Sequence, residues 1–278
     1  MNPFPENPEV IPTVESELAT AIPESSLAEI VVAPLPDPAW NGWDLLKLVS
    51  ITIGALAISM IGVLLVAKRW VYPYLDVTEL ARNALVVVVG QAIGYLLVFA
   101  YMYILVTRER RRADFLTAIH WNWPSNPGKF MFWGFVLSLA LQALAHLLPI
   151  PKNLPIDNLF RTPAEAWALT IFGITLAPVM EEFLFRAFLY PVLKRQVGLA
   201  AAVLLTAFGF ALLHGSQLKF TWGPLLVIFL VGLVLTMVRA QKNSVAASLL
   251  MHVAYNGTIS ALMFVATDGF RHLEKLNQ

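Results

Sequence analysis

The sequence predicts an all-α fold: a polytopic membrane bundle of about seven to eight transmembrane helices, with a disordered N-terminal tail. Three observations predict it. Of the 278 residues, 58% are hydrophobic and only 13% are charged, where a soluble domain carries about 25% charged residues. Apolar runs close to the ~20 residues that cross a ~30 Å hydrocarbon layer recur along the chain. Between them stand basic and aromatic clusters of the kind that anchor spans at a membrane surface.

Residues 1–43 carry seven acidic side chains (Glu6, Glu9, Glu15, Glu17, Glu24, Glu29, Asp37), eight prolines and no Lys or Arg. Such a composition buries too little apolar surface to fold alone; a docking role for Leu27–Val32 is the minority reading. The first span is expected over Leu48–Val66, closed by Lys68, Arg69, Trp70 and Tyr72. The second, Ala84–Val106, runs into Arg108-Glu109-Arg110-Arg111-Arg112. The third, Phe130–Leu148, is ended by Pro149 and Pro151. The fourth starts near Pro163, reaches Leu193 and is bent or loosened at Pro178, which removes a helical N–H. Leu199–Leu213, Pro224–Met237 and Val245–Val265 complete the set, the fifth and sixth being short for a crossing. This divides the chain into a tail (1–43), a transmembrane domain (44–266, with its functional core at 164–265) and a C-terminal tail (267–278). No internal repeat is present. A slight excess of Lys and Arg after spans two, four and six puts that face, and the N-terminus, in the cytoplasm. No basic n-region with an apolar h-region opens the chain, so no cleaved signal peptide is expected.

Several chemistries are excluded. The chain has no cysteine, which removes disulfides, thiolate catalysis and cysteine–zinc sites. No basic stripe suits a nucleic acid, so no nucleic-acid partner is expected.

What stands out is the ionisable content of the spans. Glu181, Glu182 and Arg186 lie inside the fourth, where charge is costly and marks function by default. Arg186 is four residues from Glu182 and can neutralise it. Glu181 is left without a local partner. His214 ends span five. His252 and Asn256, four apart, share one face of span seven. Counting ~1.5 Å per residue from the turns near 196 and 241 puts Glu181 and Asn256 roughly 22 Å deep, with His214 and His252 within about 6 Å of that layer. Lipid can satisfy none of these groups, so they must face one another or a wet cavity.

The chemistry open to such a cavity is narrow. There is no Gly-x-Ser-x-Gly elbow for acyl-enzyme serine chemistry and no His-Glu-x-x-His zinc helix. Two routes remain: a buried carboxylate acting as general base on water, with His and Asn donors for a developing oxyanion, or a metal held by two histidines and a carboxylate. Both lead to hydrolysis of an acyl bond. His120, His146 and His272 lie in loops or at a span end and are read as structural.

Glu181-Glu182-x-x-x-Arg186, then Phe210-x-x-x-His214, then His252-x-x-x-Asn256, resembles the three-motif signature of the CPBP family, the type II CAAX prenyl proteases and bacteriocin-processing (ABI) enzymes. The resemblance covers about Ala164–Val265. It implies an intramembrane glutamic endopeptidase of multi-helix fold, acting on a membrane-embedded or lipid-anchored peptide or protein within the bilayer. Carried over, Glu181 and His214 would activate the water and His252 and Asn256 would form the oxyanion site. Glu182, Arg186 and Phe210 would support them. No cofactor is expected on this route. Zinc on Glu181, His214 and His252 is the alternative, and a non-catalytic membrane scaffold that recruits a protein through its acidic tail is the rival outside enzymology.

Overall fold

The computed structural model describes residues 38–151 and 154–277. Most of the acidic tail, with Leu27–Val32, lies outside the described residues. The part that is described belongs to the bundle rather than to a tail. Trp40 is buried, its ring stacks on Phe188 with centroids 4.6 Å apart, and its Nε1–H donates to the Phe188 carbonyl at 3.1 Å. Asn41 then caps the first helix through a capping box with Asp44, so the helical domain begins before residue 44.

Among the described residues, nine α-helices of six or more residues build the domain: α1 (Gly42–Val66), α2 (Ala84–Ile104), α3 (Pro127–Ala145), α4 (Pro163–Ile174), α5 (Leu176–Glu181), α6 (Tyr190–Val197), α7 (Leu199–Leu213), α8 (Trp222–Lys242) and α9 (Val245–Ala266). Short single turns lie between some of them, and the described residues contain no strand. Among the described residues, six continuous helical segments are long and apolar enough to cross a membrane: Gly42–Val71, Ala84–Glu109, Pro127–Ala145, Pro163–Val197, Trp222–Lys242 and Val245–Ala266. A seventh apolar helix, Leu199–Leu213, is shorter. This is an integral, multi-pass membrane protein.

Two expected boundaries move. The sixth span is a full 21-residue helix, Trp222–Lys242, because Arg239, expected in a loop, is a buried helical residue whose Nε donates to the Arg186 carbonyl at 3.2 Å. The bend in the fourth span falls at Thr175, which leaves helical geometry at φ −111° and ψ −84°. Pro178 is nonetheless its cause: it lacks the N–H that would bond four residues back, and its ring crowds the carbonyl there. Beyond α5 the chain takes a π-helical form from Glu182 to Leu189 before resuming as α6.

Charged side chains fasten the two ends of the bundle. On the face of the basic cluster, Arg110 donates to both oxygens of the buried Asp44 at 2.5 Å, tying the end of α2 to the start of α1. Arg195 holds the carbonyls of Pro38 and Trp40 at 3.0 and 3.1 Å. On the opposite face, buried Glu165 accepts the first N–H of α2, from Ala84, at 3.3 Å. The turns of the last two hairpins lie at Gly198, φ +81°, and Asn243, φ +47°, within two residues of where depth counting puts them.

Candidate active site

Neighbouring helical residues project about 100° apart, so the two glutamates face different surroundings. Glu182, the first residue of the π segment, is fully buried between α8 and α9. Its Oε1 accepts from Arg186 Nη1 at 3.1 Å and from His252 Nδ1 at 2.9 Å, and its Oε2 accepts from Ser248 Oγ at 2.5 Å. Arg186 engages its other two nitrogens as well: Nη2 donates to the Gly232 carbonyl at 3.0 Å and Nε to Thr236 Oγ1 at 3.3 Å. Its guanidinium lies 4.5 Å from the centroid of the Phe210 ring. A π turn is a frequent mark of functional sites; here it carries the whole Glu182–Arg186 pair into a dry interface with every polar atom partnered.

Glu181 points the other way, its side chain 12% exposed. His214 Nε2 lies 3.8 Å from Glu181 Oε1 and His252 Nε2 lies 3.6 Å from Oε2. Both rings are oriented from behind. His214 terminates α7; its backbone N–H turns to the Ala211 carbonyl at 3.1 Å, and its ring Nδ1 takes the Phe210 carbonyl at 2.9 Å. A carbonyl only accepts, so His214 Nδ1 carries the hydrogen. The Glu182 carboxylate, ion-paired with Arg186, likewise only accepts, so His252 Nδ1 donates to it. The Phe210 ring packs 4.9 Å from His214 and 5.8 Å from His252, a wedge that fixes the gap between them.

These groups border a cavity of about 240 Å³ that Glu181, His214, His252 and Asn256 all line. It reaches toward the face opposite the basic cluster, where Ile156, Leu159, Phe160 and Gln217 bound it. Asn256 lines it while donating Nδ2–H to the Gly173 carbonyl at 2.8 Å. That carbonyl lies in the last turn of α4, where helical partners run out. No hydrogen bond joins Asn256 to Glu181, His214 or His252 among the described residues. Asn256 therefore braces the α4–α5 break and borders the cavity, a different first duty from the oxyanion donor expected of it.

Sequence reasoning missed several contributors. Ser248 precedes His252 by one helical turn and shares its partner Glu182, a spacing that could have exposed it. Val87, Gln91 and Tyr95 line the cavity from α2 at i, i+4, i+8. Gln91 and Tyr95 were the visible signal: two polar groups one turn apart in an apolar helix.

A metal needs donors converging on one point. His214 and His252 instead flank opposite oxygens of Glu181, and among the described residues no group of three or more His, Asp or Glu side chains is placed to hold a metal ion. As arranged, these residues do not fit zinc.

Residues 162–258 match the family model described as type II CAAX prenyl endopeptidase Rce1-like. This segment is Rce1-like. The CPBP reading of the three motifs is thereby supported, and all seven expected site residues fall inside the matched stretch. The matched family is one of type II CAAX prenyl endopeptidases, and the likeness of this segment points to a protease. The Rce1-like stretch excludes α2, so the Gln91 and Tyr95 wall of the cavity is built from outside it. No curated protein and no solved structure matches the chain.

Proposed function

We propose that this protein hydrolyses a peptide bond of a membrane-embedded or lipid-anchored substrate, of CAAX-type or leader-peptide character, with a water activated by Glu181 and His214. The observation that carries the reading is the pairing of lone pairs around Glu181. With His214 Nδ1–H committed to Phe210, a neutral His214 presents an unprotonated Nε2 to Glu181 Oε1 across 3.8 Å. Two acceptors face each other with no donor between them. A water donating one hydrogen to each satisfies both and becomes a polarised nucleophile. Glu181 takes the proton as the water attacks the scissile carbonyl and delivers it to the leaving amine.

His252 has the complementary duty. Its Nε2 edge flanks Glu181 Oε2 at the cavity wall and, when protonated, is the donor for the developing oxyanion, with Asn256 beside it. Phe210, Glu182 and Arg186 hold the geometry and take no proton.

The test compares membrane peptides from cells carrying the wild-type chain with those from cells carrying Glu181→Gln or His214→Ala. Losing a general base costs ~10²–10⁴ in rate, so the uncleaved precursor should accumulate with both variants. Cleavage of an identified substrate that survives both would sink the proposal and leave the scaffold reading in its place.

A further inference from the structure

A second cavity, of about 260 Å³, lies at the other end of the same helical segment, between α6, the end of α8 and the loop before α3. It is ~20 Å along the segment from Glu181 at ~1.5 Å per residue and shares no lining residue with the first. Tyr190, Lys194, Arg195, Arg239, Asn243 and His120 line it, and no Asp or Glu does. Arg239 is held in place by its bonds to the Arg186 carbonyl and to Asn243 Oδ1 at 2.8 Å, and its guanidinium lies 5.7 Å from the centroid of the Tyr190 ring. Tyr190 is 2% exposed, yet its hydroxyl has no hydrogen-bond partner.

Cations at the ends of α6 and α8 would be explained by the helix dipoles alone. The dipoles do not explain why the cations surround a hollow, nor why a buried hydroxyl is left unpaired in its wall, a costly arrangement when nothing fills it. An acceptor-rich anion resolves both. The cavity sits on the face of the Gly198 and Asn243 turns, at the plane where the helices end, which is where the phosphates of a bilayer lie.

We propose that this cavity is a binding site for a phosphate group, with Tyr190 Oη and Lys194 Nζ as its direct donors and Arg195 and Arg239 supplying the surrounding positive field. The phosphate comes either from the headgroup of an anionic phospholipid or from a free phosphate.

The test uses the full-length protein as wild type, Tyr190→Phe and Lys194→Gln. One arm carries each through lipid discs of phosphatidylcholine mixed with phosphatidylglycerol and counts retained phosphatidylglycerol by native mass spectrometry. The other titrates inorganic phosphate in neutral detergent and follows thermal unfolding. Tyr190→Phe removes a hydroxyl with no protein partner, so without ligand it should unfold no earlier than wild type. Loss of a charge-assisted donor should weaken binding about tenfold. A loss in both variants confined to the lipid arm names the headgroup, and a loss confined to the phosphate arm names the free anion. If both variants bind as wild type does in both arms, the site does not exist. If only Lys194→Gln weakens binding, a surface cation suffices and the proposal falls as well.

Discussion

His252 Nδ1 lies 2.9 Å from Glu182 Oε1 while Nε2 of the same ring faces Glu181 Oε2 at 3.6 Å. One imidazole therefore joins two adjacent glutamates that otherwise have separate surroundings. Their isosteric amides should fail differently. Glu181→Gln removes the base but leaves no unpaired buried charge, so activity should vanish with the melting temperature nearly unchanged. Glu182→Gln strands Arg186, which is fully buried, and breaking such a pair costs roughly 3–5 kcal/mol. It should lose both activity and several degrees of melting temperature. Equal melting temperatures for the two variants would refute the division of roles.

Ser248 gives a milder version of the same test. Its Oγ donates to Glu182 Oε2 at 2.5 Å and also lies 3.1 Å from the Leu235 carbonyl. Ser248→Ala keeps the ion pair and the His252 contact but removes one hydrogen bond to a charged group, about 1.5–3 kcal/mol. Stability should fall by about that amount. The maximal rate should drop several-fold at unchanged Michaelis constant, because the substrate never meets Ser248. A change confined to the Michaelis constant would show that Ser248 lies nearer the substrate than the structure puts it.

Much of this site was legible because charge inside a membrane span is expensive. Glu181, Glu182, Arg186, His214, His252 and Asn256 announced themselves by type and depth, and the split between Glu181 and Glu182 followed from helical spacing to Arg186. Less visible were contributors whose residue types are unremarkable in a membrane helix. Ser248, Thr236 and the carbonyls of Gly232, Gly173 and Phe210 carry no insertion penalty that would mark them, and a backbone carbonyl has no sequence signature. The boundaries erred for a related reason. Arg239 reads as a loop cation until a backbone carbonyl is found to receive it, and the kink belonging to Pro178 is displaced to Thr175 because the clash acts on the preceding turn.

The α2 wall of the cavity should set substrate preference rather than rate. Gln91 and Tyr95 border the space from a helix that carries none of Glu181, His214 or His252, and the Tyr95 ring stacks on Phe172 at 5.8 Å. Gln91→Leu preserves the side-chain bulk and removes a polar group from the cavity wall. It should shift the Michaelis constant by several-fold, in opposite directions for polar and apolar residues at the cleavage site, with the melting temperature unchanged. A uniform rate loss across substrates would place Gln91 in the chemistry instead.

Metal removal separates the two hydrolytic routes. With His214 and His252 on opposite oxygens of Glu181, cleavage by the purified protein should survive prolonged exposure to a strong chelator. Elemental analysis should find well under one zinc per chain. Loss of activity on chelation, restored by zinc, would require the two rings to close on one point and would overturn the water-bridge mechanism.

The position of His252 also depends on a close approach behind it. A methyl group built on Gly134 of α3 would meet the Met251 carbonyl oxygen at 2.3 Å and the Ala254 Cβ at 2.9 Å. Backbone cannot move aside as a flexible side chain can, so Gly134→Ala must separate α3 from α9. Overpacking of this kind costs about 1–3 kcal/mol. Because Met251 immediately precedes His252, the displacement is delivered to the ring that links the two glutamates, and a shift of 1 Å near a reacting centre can cost ~10² in rate. Gly54→Ala is the control, since nothing lies within 4 Å of the added methyl. Exchanging glycine for alanine at such a helical position should stabilise slightly, by ~0.5–1 kcal/mol. The expected pattern is therefore opposite in sign at two glycines, with activity lost only at Gly134. Full activity in Gly134→Ala would mean that the contact between α3 and α9 does not hold His252 in place.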